Sequence, residues 1–343
     1  MTATELPKVA DINVAGLPRE LLLEMYKKMW QARRVSQRAL ALHRAGVIHL
    51  AVPSDGHEAI QVGSALAMPP GRTIVFPYYR SWAAVQAYGM TPLDIFMAVF
   101  AREEDPSSGA RQMPGHFSRS DLRIITTTSV IATQIPHAAG AALAAKIRGT
   151  DELAITYFGD GATSEGDFHE GLNWASIYKL PAIFVCENNE YAISVPLSKQ
   201  SAVTDLAERA KAYNMPGVIV DGNDVVACYQ VTRVAVERAE RGEGPTLIEA
   251  KTYRTGPHTS DDDDRGYRPK EITDLWKRDR DPIQRLEHAL REAGLLDDAT
   301  QADIEGRVSA EIEAAITTAE NAPPVDPGVL LLNVYSHDVP LGS

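Results

Sequence analysis

"YFGDGATSEGDFHEGLNWASIYKLPAIFVCENNEYAIS", Tyr157 to Ser194, begins at the end of an apolar run, "LAITYF" (153–158), that stops at Gly159-Asp160-Gly161. A helix of about four turns follows. A second apolar run, "AIFVC" (182–186), then ends on Asn188-Asn189. Short apolar runs bounded by turn residues read as strands buried on both faces. "GVIV" (217–220) and "TLIEAKTYR" (246–254) repeat the pattern after intervening helices, and "TIVFPYYRS" (73–81) reads as a short strand delivering Tyr78, Tyr79 and Arg80 to a turn. Strands alternating with helices predict an α/β fold, a parallel sheet with helices on both faces.

Outward from this centre the chain reads as helical. Leu21, Leu22, Met25, Tyr26 and Met29 recur at helical spacing, and Ile304, Val308, Ile312 and Ile316 recur every four residues as one apolar stripe. "IHLAVPSDGHEAIQVG" (48–63) turns from loop into a helix that ends at Met68-Pro69-Pro70-Gly71. In "TPLDIFMAVFA" (91–101), Thr91 sits at the cap and Pro92 at the first helical position. "REEDPSSGARQMPGHFSRSD" (102–121) is too long and polar for a mere connector, as functional loops often are. "PHAAGAALAAKIRG" (136–149) is a small-residue helix suited to close packing, and the proline-broken tail, 321–343, could lie over another subunit. The expected divisions are a helical segment, 1–70, packing on an α/β core, 71–268, followed by C-terminal helices and tail, 269–343, all within one structural domain.

The chain has 343 residues, 44 % of them hydrophobic and 23 % charged, as in ordinary globular proteins that bury a sizeable core. A formal net charge of −12 argues against nucleic acid or an anionic membrane surface as the main partner. Cys186 and Cys228 are the only cysteines; they make no metal-type spacing and suit a reducing compartment. No basic start followed by an apolar stretch marks a signal peptide, and nothing approaches the ~18 apolar residues of a membrane helix. A cytoplasmic protein is expected.

In parallel α/β sheets ligands bind at the carboxyl ends of the strands, and Asp160 and Asn189 each fall at such an end. Gly159 and Gly161 let backbone approach a ligand closely, and the helix behind them offers free N–H groups to an anion. A carboxylate and a carboxamide are hard oxygen ligands of the kind Mg²⁺ takes when phosphate oxygens and water complete its octahedron. The pair suggests a metal–diphosphate clamp. Taken alone, Gly-Asp-Gly reads more simply as a strand–turn–helix with Asp160 as N-cap.

The whole constellation tips the balance. "FPYYRS", "RQMPGHF", "TSVIATQIPHAAGAA", "GDGATSEGDFHEGLNWA", "CENNEYAIS" and "YRTGPHTSDDDDRGYR" together resemble the alpha chain of the thiamine-diphosphate-dependent 2-oxoacid dehydrogenases, from roughly Leu17 to the end. These enzymes are the decarboxylating components of lipoyl-bearing complexes. The resemblance implies a thiamine-diphosphate-binding fold in which Asp160, Asn189 and the Tyr191 carbonyl hold Mg²⁺. Gly161 and Ala162 would offer N–H groups to the diphosphate, and Tyr79 and Arg80 would bind it too. Ser129 and Ile131 would touch the aminopyrimidine, with Ile131 propping the cofactor in its bent form. His258 would contact the diphosphate and reach the reacting centre as the catalytic histidine. A potassium ion near Thr128, Val130, Thr133 and Gln134 is the weakest of these implications, because Val130 replaces a proline. Each residue singly also has a plain reading as core, surface ion pair or turn.

Two departures stand out. Glu187 occupies a position where some family members carry a diphosphate-binding arginine, so one phosphate contact must come from elsewhere. Thr259 stands where the animal enzymes carry a regulatory serine, which favours a loop with no dedicated kinase. "RQMPGH", "TSEGD" and "HTSDDDD" look more like the branched-chain members, which act on substrates such as 2-oxoisovalerate. Several pyruvate enzymes have glutamine in place of Glu165, and His49 would match a pocket histidine of theirs only across a gap. A pyruvate or acetoin dehydrogenase alpha chain is the alternative. Such a chain needs a beta chain, as two alpha and two beta, and a dihydrolipoyl acyltransferase to receive the acyl group. A self-contained thiamine enzyme needs a second, pyrimidine-binding domain for which 343 residues leave no room. A calcium-binding role for Asp261 to Asp264 lacks the alternating ligands and central glycine of a calcium loop.

Overall fold

The computed structural model describes residues 10–126, 128–330 and 332; the expectation for the chain's start and much of that for its tail therefore lie outside the described residues. Parallel strands β1 (Thr73–Phe76), β2 (Leu153–Gly159), β3 (Ala182–Asn188), β6 (Gly217–Asp221) and β7 (Thr246–Lys251) form one sheet in the order β1-β2-β3-β7-β6. A small antiparallel pair, β4 (Tyr191–Ala192) and β5 (Val195–Pro196), leads into the short helix α7 (Leu197–Gln200) beyond β3. The central runs are apolar throughout because both faces are covered. Ala154 and Phe158 of β2, with Phe184 and Cys186 of β3, pack under α5 (Gln134–Arg148) and α6 (Gly166–Ile177). Ile155 and Tyr157, with Ile183 and Val185, face the opposite layer.

That second layer holds α2 (Glu58–Ala67), α3 (Trp82–Ala87), α4 (Pro92–Val99) and α8 (Val225–Glu240), with α1 (Arg19–Arg44) outside it. Near the C-terminus α9 (Lys270–Asp279), α10 (Pro282–Glu292) and α11 (Asp298–Asn321) return to this side, where α10 and α11 pack against α1. Met25 and Met29 of α1, Val62 of α2, and Leu286 and Leu290 of α10 share one apolar cluster. The stripe Ile304, Val308, Ile312 and Ile316 is the buried face of α11. Thr91 and Asp94 close a reciprocal capping box at α4, so two otherwise orphaned N–H groups are satisfied.

Two expectations change. The chain after Gly159 does not enter a four-turn helix: Asp160–Ser164 form a tight 3₁₀ turn, Glu165 is extended, and α6 follows with 12 residues. Gly159, not Asp160, occupies the cap position of that turn, which leaves the Asp160 side chain free of capping. The described beginning of the tail lies on its own chain, where Glu103 N–H donates to the Pro323 carbonyl (3.2 Å) and Arg102 binds the Ala319 and Glu320 carbonyls.

α2 crosses α8 closely enough that a Cβ on Gly63 would lie 2.6 Å from the Val225 carbonyl oxygen and 2.9 Å from Cys228 Cβ. Gly63→Ala is therefore expected to cost roughly 1–3 kcal/mol by overpacking. A thermal melt unchanged from the parent would contradict that reading of the contact.

Candidate active site

Four neighbouring parallel strands end on the same side, and each hands on a side chain within a few residues. β1 leads to Tyr79 and Arg80, β2 to Asp160, β3 to Asn189, and β7 to Arg254 and His258. Between them lies a cavity of about 570 Å³. Tyr79, Arg80, Ser129, Ile131, Asp160, Gly161, Ala162, Asn189, Tyr191 and His258, all singled out from the sequence, line it together. Of the potassium group only Gln134 does so; Thr133 Oγ1 donates to the Val130 carbonyl (2.9 Å) and Thr128 Oγ1 accepts from Val130 N–H (3.2 Å).

Asp160 is fully buried. Its Oδ1 accepts from Asn189 N–H (3.3 Å), while Oδ2 has no partner among the described residues. Burial is the first cause that pushes its carboxyl up to about 7, and Glu190 adds to it. The two asparagines do different work. Asn188 turns its amide into the fold, donating to Glu249 Oε1 (2.7 Å) and accepting from Glu190 N–H (3.2 Å). Asn189 reaches the cavity, its Oδ1 accepting from Tyr191 N–H at 3.2 Å. Glu190 sits at φ +74°, a left-handed kink at the strand end that the Asn188 bond helps to hold. A Cβ on Gly161 would lie 3.0 Å from Ala192 Cβ, so glycine keeps this part of the floor open.

The opposite sign gathers nearby. Arg80 and Arg254 are each buried to 1 % exposure, and among the described residues neither has a carboxylate partner. Arg80 donates to the Pro53 carbonyl (2.5 Å), to His258 Nδ1 (3.1 Å) and to the His258 carbonyl (3.2 Å). Arg254 donates to the Ile193 carbonyl (2.8 Å) and Tyr267 Oη (3.0 Å), and its Nε is unpartnered. Burial, then Arg80, lowers the Arg254 pKa to about 10. Burial, then Arg80 and Arg254, pushes His258 down to about 3. Since Arg80 donates to Nδ1, the neutral imidazole carries its proton on Nε2. Asp262 anchors this loop by accepting from His258 N–H (2.8 Å) and from the Tyr267 hydroxyl. The rest of the acidic run is dispersed, with Asp261 on His43, Asp263 on Arg265 and Asp264 on Arg268.

An unpartnered buried carboxylate oxygen beside a carboxamide suits a divalent cation, and two uncompensated buried guanidiniums suit an anion. The residues fit a magnesium-bound diphosphate. Sequence reasoning passed over Arg254, Gln200 and His116. Gln200 donates to the Asp160 carbonyl (2.7 Å) and so holds the turn after β2, and His116 Nε2 lies 2.7 Å from Ser129 Oγ. Arg254 and His116 stand inside two of the quoted motifs, but nothing in those motifs tells a buried arginine from a surface one. His49 is exposed and does not line the cavity; Leu50 and Val52 do. Glu187 is fully buried behind the site, where it accepts hydrogen bonds and does not line the cavity.

Fold and site together define an α/β protein with a charged cavity at the carboxyl ends of a parallel sheet. The chain belongs to the dehydrogenase E1 component family, which matches residues 26–328. It is 46 % identical over 321 residues to the 2-oxoisovalerate dehydrogenase subunit alpha of Bacillus subtilis, covering 94 % of this chain and 97 % of that protein. It is 39 % identical to the pyruvate dehydrogenase E1 component subunit alpha of Staphylococcus aureus (90 % and 80 % covered). It is 38 % identical to the human mitochondrial 2-oxoisovalerate dehydrogenase subunit alpha (93 % and 71 % covered). Membership implies dependence on thiamine diphosphate.

Asp160→Ala is expected to abolish Mg²⁺-dependent binding of thiamine diphosphate in calorimetric titration while leaving the melting profile largely intact, because it removes a buried carboxyl whose Oδ2 has no partner among the described residues. Unchanged affinity would remove Asp160 from the metal site. His258 carries a pH signature of its own. Between pH 6.5, its ordinary value, and about 3 the unfolded chain holds a proton there that the folded chain does not, so stability rises with pH through that window. His258→Asn should therefore shrink the fall in urea midpoint between pH 7 and pH 5. An equal fall in both proteins would mean that His258 is protonated where it stands.

Proposed function

We propose that this chain is the alpha subunit of a cytoplasmic branched-chain 2-oxoacid dehydrogenase. It decarboxylates substrates such as 2-oxoisovalerate and passes the acyl group to the lipoyl group of a dihydrolipoyl acyltransferase. The observation that carries the reading is the pairing of the unpartnered Asp160 Oδ2 with the unpaired Arg80 and Arg254 in one cavity at the strand ends. Asp160, Asn189 and the Tyr191 carbonyl would hold Mg²⁺. Gly161 and Ala162 would offer N–H groups to the diphosphate, with Tyr79 and Arg80 on its other side. Ser129 and Ile131 would meet the aminopyrimidine. Thiamine diphosphate, when bound, would supply a nucleophilic carbon and an electron sink for the bonding pair that CO₂ leaves behind.

His258 then has a task suited to its surroundings. A neutral imidazole with its proton on Nε2 can donate near the reacting centre, and an anion beside Arg80 and Arg254 opposes the charges that depress its pKa. Leu50 and Val52 give the cavity an apolar wall, as a branched acyl chain would need. The greater identity and coverage of the Bacillus protein over the staphylococcal one support the same substrate class. The partner is a beta subunit, in an assembly of two alpha and two beta chains. It would supply the pyrimidine-binding half, since the described residues form one five-stranded parallel sheet and no second such half. Within the extensions, 1–70 and 269–343, the described residues would serve as packing for the core, 71–268, within one domain.

Purified alpha and beta chains together should decarboxylate 2-oxoisovalerate with a kcat/KM about tenfold or more above that for pyruvate, since a few methylene-sized contacts are worth ~1–3 kcal/mol each. The alpha chain alone should be inactive. Preference for pyruvate would move the chain to the pyruvate class, and turnover by the lone chain would overturn the half-site reading.

A further inference from the structure

Glu187 brings a carboxylate to the carboxyl end of β3, on the face that Ile183 and Val185 present to the helical layer holding α2 and α8. It is fully buried, yet donors surround it. His57 Nδ1 lies 2.5 Å from Oε2, the Tyr78 hydroxyl donates to Oε2 at 2.7 Å, and Gln61 Nε2 reaches both oxygens at 3.1 and 2.9 Å. Two of those donors continue into the turn that carries the diphosphate-binding pair. Gln61 Nε2 also donates to the Arg80 carbonyl (3.0 Å), while its Oε1 accepts from Ala83 and Ala84 N–H at the start of α3. Tyr78 begins the turn: its N–H donates to Ser81 Oγ (3.0 Å), and Ser81 N–H donates to its carbonyl (2.9 Å). The segment Tyr78–Ser81 is thus clamped at both ends to one carboxylate, and the Arg80 side chain leaves it towards Pro53 and His258.

We propose that Glu187 is a positioning residue for the cofactor: through Tyr78 and Gln61 it fixes the Tyr79–Arg80 turn so that Arg80 meets the diphosphate pre-oriented. This rests on the reading of Arg80 as a diphosphate ligand. The physical ground is that a buried carboxylate is tolerated only when donors satisfy it, and a satisfied buried network holds its members in one geometry. A flexible arginine would lose side-chain freedom on binding, and one held in advance loses less. Glu187 therefore contributes affinity without touching the cofactor, where a cation at the same position could contribute by contact.

The test is calorimetric titration of thiamine diphosphate with Mg²⁺ into the alpha–beta enzyme. Glu187→Ala should weaken binding about tenfold, a difference of ~1.4 kcal/mol. Glu187→Gln should recover most of it, because its carboxamide oxygen still accepts from Tyr78 and His57. Tyr78→Phe, which removes one hydroxyl and spares the fold, should weaken binding about threefold. In an Arg80→Ala background both losses should vanish, because the effect runs through Arg80. Additive losses in that background, or Glu187→Gln no better than Glu187→Ala, would reduce Glu187 to a fold-stabilising residue and overturn the inference. If Glu187→Ala does not fold, the Tyr78→Phe pair decides by the same criterion. Parent-like affinity in Arg80→Ala alone would instead sink the diphosphate reading, and the inference with it.

Discussion

A carboxylate with an unpaired oxygen and two guanidiniums without carboxylates are held in the walls of one cavity, all essentially out of water. Each costs free energy where it stands. Asp160 shows the cost as a carboxyl raised to about 7, and Arg254 as a guanidinium lowered to about 10. They do not neutralise one another by contact, so the arrangement is completed by something that carries both signs. A divalent cation on a diphosphate, as proposed, would do so. The parallel sheet is what can hold such groups in place, because its strands end together and their backbones are fixed by neighbours on both sides.

The rest of the fold keeps those strand ends still. The 3₁₀ turn after β2 has its first carbonyl held by Gln200 and Thr163, which sets the direction of Asp160. The kink at Glu190 turns the chain so that Asn188 faces inward and Asn189 outward. On the histidine side, Asp262 ties the loop through His258 and Tyr267 while Tyr267 meets Arg254, so one acidic residue organises two basic groups. The Tyr78–Ser81 turn is secured from below by Glu187 and Gln61. The pocket is built from hydrogen bonds between loops, on a sheet built from apolar contact.

The strands and the long helices were legible because burial on two faces leaves a mark in the sequence. "LAITYF" and "AIFVC" can hardly be anything but covered strands, and the four-residue repeat in α11 shows its inner face. That Asp160 and Asn189 stand at neighbouring strand ends was legible from Gly-Asp-Gly and Asn-Asn, whereas the presence of Tyr79, Arg80, Ser129, Ile131 and His258 around the same cavity was reached only through the resemblance. Other features were not. A five-residue 3₁₀ turn and the start of a helix share the same residue preferences, so the division at Glu165 left no signal. The burial of Arg254 and Glu187 depends on partners from distant segments, such as Tyr267, His57 and Tyr78. His49 looked possible only because a loop's register cannot be read from its composition.

Asp160 and Asn189 are proposed to clamp the metal of a bound diphosphate. The most direct measurement is anomalous diffraction from crystals of the alpha–beta enzyme grown with thiamine diphosphate and Mn²⁺ in place of Mg²⁺. The account expects one anomalous peak per alpha chain, about 2.1 Å from Asp160 Oδ2 and Asn189 Oδ1, with the Tyr191 carbonyl completing the protein ligands. A metal bound elsewhere, or a diphosphate seated away from Arg80, would contradict it.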